Sequence, residues 1–345
     1  MINAIRKKSF FSQDQVIFIL TAEEHEHQLR LDQFLAFHFK TTSRQKIKEK
    51  IKKSEVIIKG RTPPHRPSTK VHFQDEVTVT THNLEQDETQ LEVIHEDQDI
   101  LIVNKPPQMI VHPTGKHLFN CVTSILEKQR GHPIHSIHRI DQETSGLLIL
   151  GKNPQGSTHY SLIFENRNIK KCYFFIAHKY KKLNFPLKAD QNLAADQELR
   201  KRLFVRAYPN GKTGKTALTE FHCLMENEKF LAGLAFPHTG RQHQIRAHAY
   251  HHGFPLVGDK IYRHDQSLFD RYKSNQLTNQ DHQELILNRH ALHAYALYSN
   301  DFKTHSKYFL APLTEDLQSF VEKEFQMINL NEKIKEIILH QWSIS

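Results

Sequence analysis

The sequence has few cysteines and no apolar run of membrane-spanning length, and each shortage excludes a class of protein. Its 345 residues include three cysteines, at positions 121, 172 and 223. Cysteines so isolated do not form a zinc knuckle or a disulfide framework. The longest apolar run near the N-terminus covers residues 16–20, whereas a membrane helix needs about 20 apolar residues. The polar residues 13–15 before it do not fit a cleavable signal peptide. We therefore expect a protein of the reduced cytoplasm that does not enter a membrane.

The chain has more basic than acidic residues. Lysine and arginine number 47 and aspartate and glutamate 38, which gives a net charge of +9 and a pI near 9.2. This excess favours a polyanionic partner such as nucleic acid. Apolar residues make up 38% of the chain, which is enough for a sizeable core and excludes wholesale disorder. The length suits two or three domains.

Residues 28–80 have the pattern of a small, basic αβ domain. Apolar residues at positions 31, 34, 35 and 39 follow a helical period. A second helix, capped by Thr42 or Ser43 and running to about residue 53, has Ile47 and Ile51 on its buried face. Two short strands are predicted at 55–59 and 76–80. The domain has twelve basic and five acidic residues, a net charge of +7.

The second of these helices contains six of the twelve basic side chains of the domain. The candidate RNA-binding residues on it are Arg44, Lys46, Lys48 and Lys50. Small basic helical modules commonly bind the phosphates of nucleic acids. An ordinary solvated helix face is the alternative interpretation of the same charge run.

The longer region at 92–315 mixes strands and helices. We predict an α+β domain on a largely antiparallel sheet, because strands outnumber helices and few β–α–β repeats are visible. The clearest strands are at 100–103, 146–150, 172–177, 217–223 and 230–236. The helices are at 119–129, 157–166 and 242–252. Residues 1–27 are then a leader with one strand, 81–91 a polar linker, and 316–345 a helical tail that either packs on this domain or extends from it.

The sharpest motif covers residues 138–150, with the sequence HRIDQETSGLLIL. A polar loop containing Asp141 ends at Gly146 and continues into an apolar strand. Catalytic groups are often placed on such a loop at the edge of a rigid sheet. For an aspartate taken in isolation, bonding to the backbone amides of its own turn is the alternative.

Further segments extend this motif into a family pattern. They are VNKPP and VHPT at 103–107 and 111–114, KCY at 171–173, GRQHQIRAH at 240–248, GDKIY at 258–262 and ALHA at 291–294. In this order and spacing they resemble the RluA-type pseudouridine synthases, whose central motif contains the catalytic aspartate. Residues 28–80 are similar to the S4-type RNA-binding domain that precedes the catalytic domain in many members. The resemblance covers most of the chain, and it implies that residues 92–315 are a pseudouridine synthase domain.

Five positions depart from the family pattern. Gln108, Ser54 and His178 stand where the family usually has glycine, Ile140 replaces leucine, and Gln242 replaces threonine or serine. None of these departures removes a group that the chemistry needs. They bear instead on which RNA site is recognised.

The resemblance implies roles for individual residues. Asp141 is the catalytic carboxylate, and three roles are open to it: nucleophile, electrostatic partner of a cationic sugar, or base toward the 2′-hydrogen. Arg246 is its ion-pair partner, which keeps the carboxylate charged despite burial; a phosphate contact is the alternative. Tyr173 contacts a uracil flipped out of the RNA, and Ile245 packs beneath that base.

Two more basic residues belong to the implied site. Arg139 is a candidate wedge for the space that the flipped base leaves, and its alternative is a purely structural role. Lys105 either contacts RNA or only shapes the pocket. Both interpretations of Lys105 stay open at this point.

The isomerisation of uridine to pseudouridine requires neither a metal nor an organic cofactor, because no atom is gained and no redox change occurs. The expected partner is structured RNA, in the first place large-subunit ribosomal RNA, with transfer RNA as an alternative, and a monomer is sufficient. Two rival interpretations are an assembly factor that binds RNA without chemistry and a histidine-metal hydrolase. The second would use the pair His248 and His252, which are one helical turn apart.

Overall fold

The computed structural model of the chain divides into two compact units. Unit 1 contains Met1–Gln90 with Ile110–Ile134, and unit 2 contains Leu91–Met109 with His135–Ser345. The structure describes residues 7–12, 15–39, 44–82, 90–113, 121–196, 204–209, 213–263, 266–274 and 276–342. Within these ranges, no helix has the length and apolar character needed to cross a bilayer.

Unit 1 is a four-stranded antiparallel sheet with helices. Its elements are β1 (Lys7–Ser12), β2 (Gln15–Thr21), α1 (Leu31–His38), α2 (Arg44–Lys52), β3 (Val56–Ile58), β4 (Glu76–His82) and α3 (Val122–Arg130), and a short 3-10 turn lies at Glu24–Glu26. The strand order is β1-β2-β4-β3.

The two predicted helices of this unit are confirmed, and their apolar stripes form its core. Leu31 and Phe34 of α1 and Ile51 of α2 are fully buried, and Leu35 and Ile47 are nearly so. Burial of each such side chain contributes about 1.5–3 kcal/mol. The proposed caps Thr42 and Ser43 lie outside the described residues.

Two strands within the predicted leader, β1 and β2, belong to the same sheet. Phe18 and Leu20 of β2 alternate inward and are buried, and Leu20 pairs with Val77 of β4. The two-residue period of a strand puts these side chains on the core face. The structure therefore joins residues 7–21 to the small basic domain, whereas the sequence pattern separated them from it. It also groups α3, which we predicted at 119–129 inside the larger domain, with unit 1.

Unit 2 is built on a large sheet. The described elements are β5 (Glu92–Glu96), β6 (Ile100–Lys105), β7 (His135–Ser136), β8 (Ser145–Gly151), α4 (Pro154–Glu165), β9 (Lys170–His178), β10 (Leu187–Ala189), β11 (Asn192–Ala195), β12 (Val205–Tyr208), β13 (Thr219–Glu226), β14 (Phe230–Pro237), α5 (Gln244–His251), α6 (Gln266–Lys273), α7 (Asn279–Leu285), β15 (Leu292–Tyr298), β16 (Tyr308–Leu310), α8 (Glu315–Phe325) and α9 (Leu330–Trp342). The main strand order is β10-β13-β14-β9-β15-β8-β6-β5, and β11 and β12 form a separate hairpin. The predicted α+β class with a mostly antiparallel sheet is confirmed.

The central strand β15 pairs with β8 in parallel, unlike the antiparallel pairings of the other described strands. Gly146 makes this approach possible. It has a φ of +106°, and a Cβ atom there would lie 2.3 Å from the carbonyl oxygen of Ala294. The glycine of the 138–150 motif is therefore required where the two strands meet.

The C-terminal helices pack on the sheet of unit 2. Leu317 and Phe320 of α8 and Ile334, Ile338 and Trp342 of α9 are buried in one cluster with residues of β9, β14 and β15. Of the two alternatives for the tail, the structure therefore shows the packed one. The buried faces of α8 and α9 account for the helical apolar period in the sequence.

Candidate active site

A cleft in unit 2, open to solvent, contains most of the predicted catalytic side chains. Its cavity volume is about 120 Å³, and the lining includes Arg139, Asp141, Lys171, Tyr173, Ile245 and Arg246. These side chains come from the loop before β8, from β9 and from the start of α5. The sheet and one helix therefore bring together residues that lie up to about a hundred positions apart in the chain.

The loop that presents Asp141 is held at several points. The amide of Thr144 donates to the carbonyl of Asp141 at 3.1 Å, and the hydroxyl of Thr144 is hydrogen-bonded to Nε2 of His290 at 2.8 Å. At the other end, His138 stacks on Phe164 and its Nε2 accepts the amide of Ile149 at 3.0 Å. These contacts fix the backbone on both sides of the carboxylate.

Arg246 contacts two carboxylates at once. Its Nη1 donates to Oδ2 of Asp141 at 2.8 Å, while Nε and Nη2 donate to the two oxygens of Asp259 at 2.7 and 2.9 Å. Arg246 is 4% exposed and Asp259 is fully buried. The predicted ion pair between Asp141 and Arg246 is thus present, and the planar guanidinium is held by two bonds on its other edge.

Asp259 was not assigned a role from the sequence, although it lies in the segment 258–262 that resembles the family. Its Oδ1 also accepts the amides of Ile261 and Tyr262, at 2.9 and 3.0 Å. Burial raises the pKa of Asp259, but the charge and hydrogen bonds of Arg246 outweigh burial and hold that pKa well below its usual range. Asp259 is therefore an ionised anchor for Arg246.

Asp141 is ionised in the folded protein. Burial raises the pKa of its carboxyl, and the positive charge of Arg246 outweighs burial, so the pKa lies below the ordinary value. Its Oδ2 is bound to Arg246, whereas Oδ1 has no hydrogen bond among the described residues. One carboxylate oxygen is thus fixed and the other remains available to a ligand.

His243 faces that second oxygen and was missed as a site residue. Its Nε2 lies 3.9 Å from Oδ1 of Asp141, and its Nδ1 lies 3.1 Å from the hydroxyl of Tyr262. Burial lowers the pKa of His243 to about 4, so the ring is neutral at pH 7. The Tyr262 oxygen also accepts the amide of Val205. His243 is therefore a neutral polar group held beside the unbonded oxygen of Asp141.

The other predicted residues of the cleft occupy different depths. Burial, followed by the charge of Asp141, raises the pKa of Tyr173, so its phenol keeps its proton. Its hydroxyl has no hydrogen bond within the described part of the chain. Ile245 is 6% exposed and packs in the core beside the cleft. Arg139 is exposed, and no ion pair or hydrogen bond of its side chain is found among the described residues.

Lys105 does not line the cleft. Its side chain is fully buried, and its ammonium donates to the carbonyls of Pro106, Met109 and Gln142 at 2.8, 2.8 and 3.0 Å. All three donor hydrogens are used. The structure therefore favours the structural alternative and places Lys105 out of reach of RNA: it ties the turn after β6 to the Asp141 loop.

The basic residues of α2 lie in unit 1 and differ in their availability. Arg44 and Lys48 are exposed. Lys50 forms an ion pair with Glu55 at 2.8 Å. The side chain of Lys46 lies outside the described part of the structure. Arg44 and Lys48 are thus the residues of this set best placed to meet a polyanion.

The histidine pair considered for metal binding has other partners. His248 uses both ring nitrogens, with the Thr219 hydroxyl at 2.9 Å and the Gln191 carbonyl at 3.0 Å, and His252 binds the Gln191 side chain at 3.0 Å. Where the chain is described, no group of three His, Cys, Asp or Glu side chains is arranged to hold a metal ion. The two rings therefore stabilise the packing of α5.

Comparison with known proteins gives a consistent result. Residues 99–251 match the family model of RNA pseudouridylate synthase. An uncharacterized RNA pseudouridine synthase of Bacillus subtilis is 30% identical over 326 residues, covering 88% of this chain and 96% of that protein. The ribosomal large subunit pseudouridine synthase D of Escherichia coli K12 is 31% identical over 257 residues, covering 70% of this chain and 76% of that protein.

The fold has a counterpart among solved structures. The human RNA pseudouridylate synthase domain containing 4 aligns with a TM-score of 0.53 and 21% identity, covering 67% of this chain and 92% of that one. At this identity the likeness concerns the fold alone.

Proposed function

Because this chain belongs to the RluA-type family of RNA pseudouridine synthases, we propose that it isomerises specific uridines of large-subunit ribosomal RNA with Asp141 as the catalytic carboxylate. Membership of this family means that the chain is an isomerase acting on RNA. Its likeness to the large-subunit enzyme of Escherichia coli supports the choice of RNA; transfer RNA is the alternative substrate.

The observation that carries the proposal is the environment of Asp141. An ionised carboxylate lines an open cleft, one of its oxygens is fixed by Arg246, and the other is unbonded within the described residues. Structural carboxylates usually have both oxygens satisfied. A carboxylate held charged with one free oxygen is suited to act on a ligand.

The reaction needs such a group beside the sugar. The N1–C1′ bond breaks, the uracil turns over, a C5–C1′ bond forms, C5 loses its proton and N1 gains one. Asp141 acts through Oδ1 in each of its three open roles, as nucleophile at C1′, as electrostatic partner of a cationic sugar, or as base toward the 2′-hydrogen. His243, whose neutral ring has Nε2 3.9 Å from the same oxygen, is a polar group beside the point at which Asp141 meets the ligand.

The target base reaches this site by flipping out of the RNA, which costs a few kcal/mol. Arg139, exposed and without a partner among the described residues, fills the space left in the RNA. The Tyr173 hydroxyl, which also has no hydrogen-bond partner among the described residues, contacts the uracil, and Ile245 packs beneath that base. Both polar groups are therefore free to bind a nucleotide.

The basic domain holds the RNA by its backbone. Residues 28–80 act as an S4-like module, in which Arg44 and Lys48 contact phosphates. The protein acts as a monomer in the cytoplasm and requires no cofactor.

The test is pseudouridine mapping of ribosomal and transfer RNA with purified wild type, Asp141→Asn and Asp141→Ala. Wild type is expected to modify large-subunit RNA, and both variants to lose at least about 10³-fold in rate, as expected for removal of a central catalytic group. Asp190→Asn, at an exposed aspartate outside the cleft lining, is the matched control. Product from both Asp141 variants contradicts the assignment, and modification of transfer RNA alone contradicts the substrate.

A further inference from the structure

Lys171 has an unusual position for a lysine. It lies on β9 two residues before Tyr173 and lines the same cleft. Its ammonium donates to the carbonyl of Thr239 at 3.0 Å. Among the described residues, no carboxylate forms an ion pair with it. Two of its three donor hydrogens are therefore left for a ligand or solvent.

Three other buried cations of unit 2 have carboxylate partners: Arg246 binds Asp141 and Asp259, Lys260 binds Glu143, and Arg289 binds Asp316. A fourth, Lys105, uses all three donor hydrogens on backbone carbonyls. Lys171 has no carboxylate partner among the described residues, and burial, followed by the charge of Arg167, lowers its pKa to about 8. A cation kept in a partly desolvated site without a counter-ion is a binding position for an anion.

The cleft as a whole is lined by more cationic than anionic side chains. Arg139, Lys171, Arg241 and Arg246 line it, against the single carboxylate of Asp141. Arg246 is shared by Asp141 and the buried Asp259, so these three groups together have a net charge of −1. With Arg139, Lys171 and Arg241 the site still has a surplus of two positive charges (4 − 2), which favours a ligand that has at least one negative charge beside its ring.

The space beside the ammonium is open. A Cβ atom added to Gly240 would have Lys171 Nζ as its nearest contact, at 3.8 Å, and nothing else within 4 Å. Gly240 is not at a positive φ, so its conformation does not require glycine. What the missing side chain provides is room next to the amine.

We propose that Lys171 and the gap over Gly240 form a phosphate subsite, which binds the phosphodiester adjacent to the flipped uridine. The proposal rests on the proposed function, since it takes the ligand to be a nucleotide of RNA. Lys171 then binds the phosphate of the nucleotide, while Tyr173 contacts the base and Asp141 acts at the sugar. A charge-assisted hydrogen bond to phosphate supplies affinity without reading the base.

The experiment compares binding of uridine, uridine 3′-monophosphate and uridine 5′-monophosphate to the full chain by NMR titration. Wild type is expected to bind one monophosphate at least about tenfold more tightly than uridine, as for a hydrogen bond between charged groups. The two monophosphates identify which flanking phosphate is bound. Lys171→Met should abolish the preference for the monophosphate over uridine and leave uridine binding unchanged. Lys171→Arg should keep the preference.

Two further variants separate binding from folding. Lys170→Met is the matched control, because the neighbouring Lys170 lies over the ring of Tyr298 instead, and it should behave as wild type. Gly240→Ala leaves the charge in place and fills the gap, so it should weaken monophosphate binding severalfold and spare uridine. An equal loss for uridine and monophosphate in Lys171→Met, or no monophosphate preference in wild type, overturns the proposal. Asp141→Asn should keep the preference, so the result does not depend on catalysis.

Discussion

Asp259 binds the guanidinium of Arg246 on the edge opposite to Asp141. Two hydrogen bonds, at 2.7 and 2.9 Å, fix the guanidinium plane, and the third nitrogen then meets the Asp141 carboxylate at 2.8 Å. The orientation of the Asp141 carboxylate thus depends on a fully buried aspartate 118 positions away in sequence (259 − 141). Supporting partners of this kind position a reactive group without touching the ligand.

Asp259→Asn is expected to lower kcat for pseudouridine formation by about 10²-fold, because Arg246 loses its fixed orientation and Asp141 shifts with it. KM should change much less, since Asp259 does not line the cleft. Steady-state kinetics on the RNA substrate measures both quantities, and circular dichroism verifies that the variant is folded.

Asp281 provides the control for this variant. It accepts two hydrogen bonds from Arg271 in a comparable arrangement outside the cleft. Asp281→Asn should leave kcat unchanged. A fully active Asp259→Asn enzyme would show that the buried anchor has no part in the reaction.

The stability of the protein should fall steeply in mild acid. Burial lowers the pKa values of His243, His248 and His293 to about 4 each. In the unfolded chain these rings take up protons near pH 6.5. Between pH 6.5 and 4 the unfolded state therefore binds more protons than the folded state, so stability is lost as pH falls. Each ring contributes about 1.4 kcal/mol per pH unit in this window.

Urea unfolding at a series of pH values measures this slope. His248→Asn should reduce the slope by about one proton, whatever it does to stability at pH 7. His305→Asn, at an exposed histidine, should leave the slope as it is. A stability that stays constant from pH 6.5 to 5 would contradict the inferred neutral, buried rings.

The affinity for RNA should depend on salt through the exposed cations of α2. Arg44→Glu or Lys48→Glu is expected to weaken binding and to reduce the slope of log affinity against log salt by about 0.7–0.9 per lost phosphate contact. The rate of the bound complex should stay close to that of wild type. Filter binding at several salt concentrations measures the slope, and single-turnover kinetics measures the rate.

Lys335→Glu makes the same charge change on an exposed face of α9. It should keep the wild-type slope. Equal slopes in all of these variants would argue against RNA docking on α2.

Ser54 has a left-handed conformation, with φ +58°. Ser54→Gly should raise the free energy of unfolding by about 1 kcal/mol, since glycine adopts this conformation without the steric cost that other residues incur. Urea denaturation gives the value. Ser68→Gly, at an exposed serine with ordinary φ, should lower it by about 0.4–1 kcal/mol through the greater freedom of the unfolded chain. Destabilisation by both changes would mean that Ser54 is not strained.

The regular elements were predictable where one face is buried. The helical stripe of Leu31, Phe34 and Leu35 identifies α1 because a 3.6-residue period is visible in the sequence. The strand β15 was not predicted. Its residues Leu292–Tyr298 are almost all buried, so no alternation marks it, and its place in the sheet depends on a close approach to Gly146.

The candidate site was likewise predictable only in part. Family motifs identified Asp141 and Arg246, and the structure brings the two together. The binding of Arg246 by Asp259, the position of His243 beside Asp141 and the enclosure of Lys105 depend on atoms that converge from separate segments. The carbonyls around Lys105, for example, come from residues 106, 109 and 142. A linear pattern contains no information on such convergence.

The parallel pairing of β8 with β15 has a consequence for translation. Ser145 pairs with His293, 148 positions later, so one of the two neighbours of β8, the strand after Asp141, is synthesised only when most of the chain is complete; the other neighbour, β6, precedes β8 in sequence. At about 5–20 residues per second, this interval is roughly 7 to 30 s. The sheet of unit 1 is made of residues 7–82 and is complete well before then. A nascent chain therefore has its basic domain while the loop of Asp141 still lacks the strand β15 beside it.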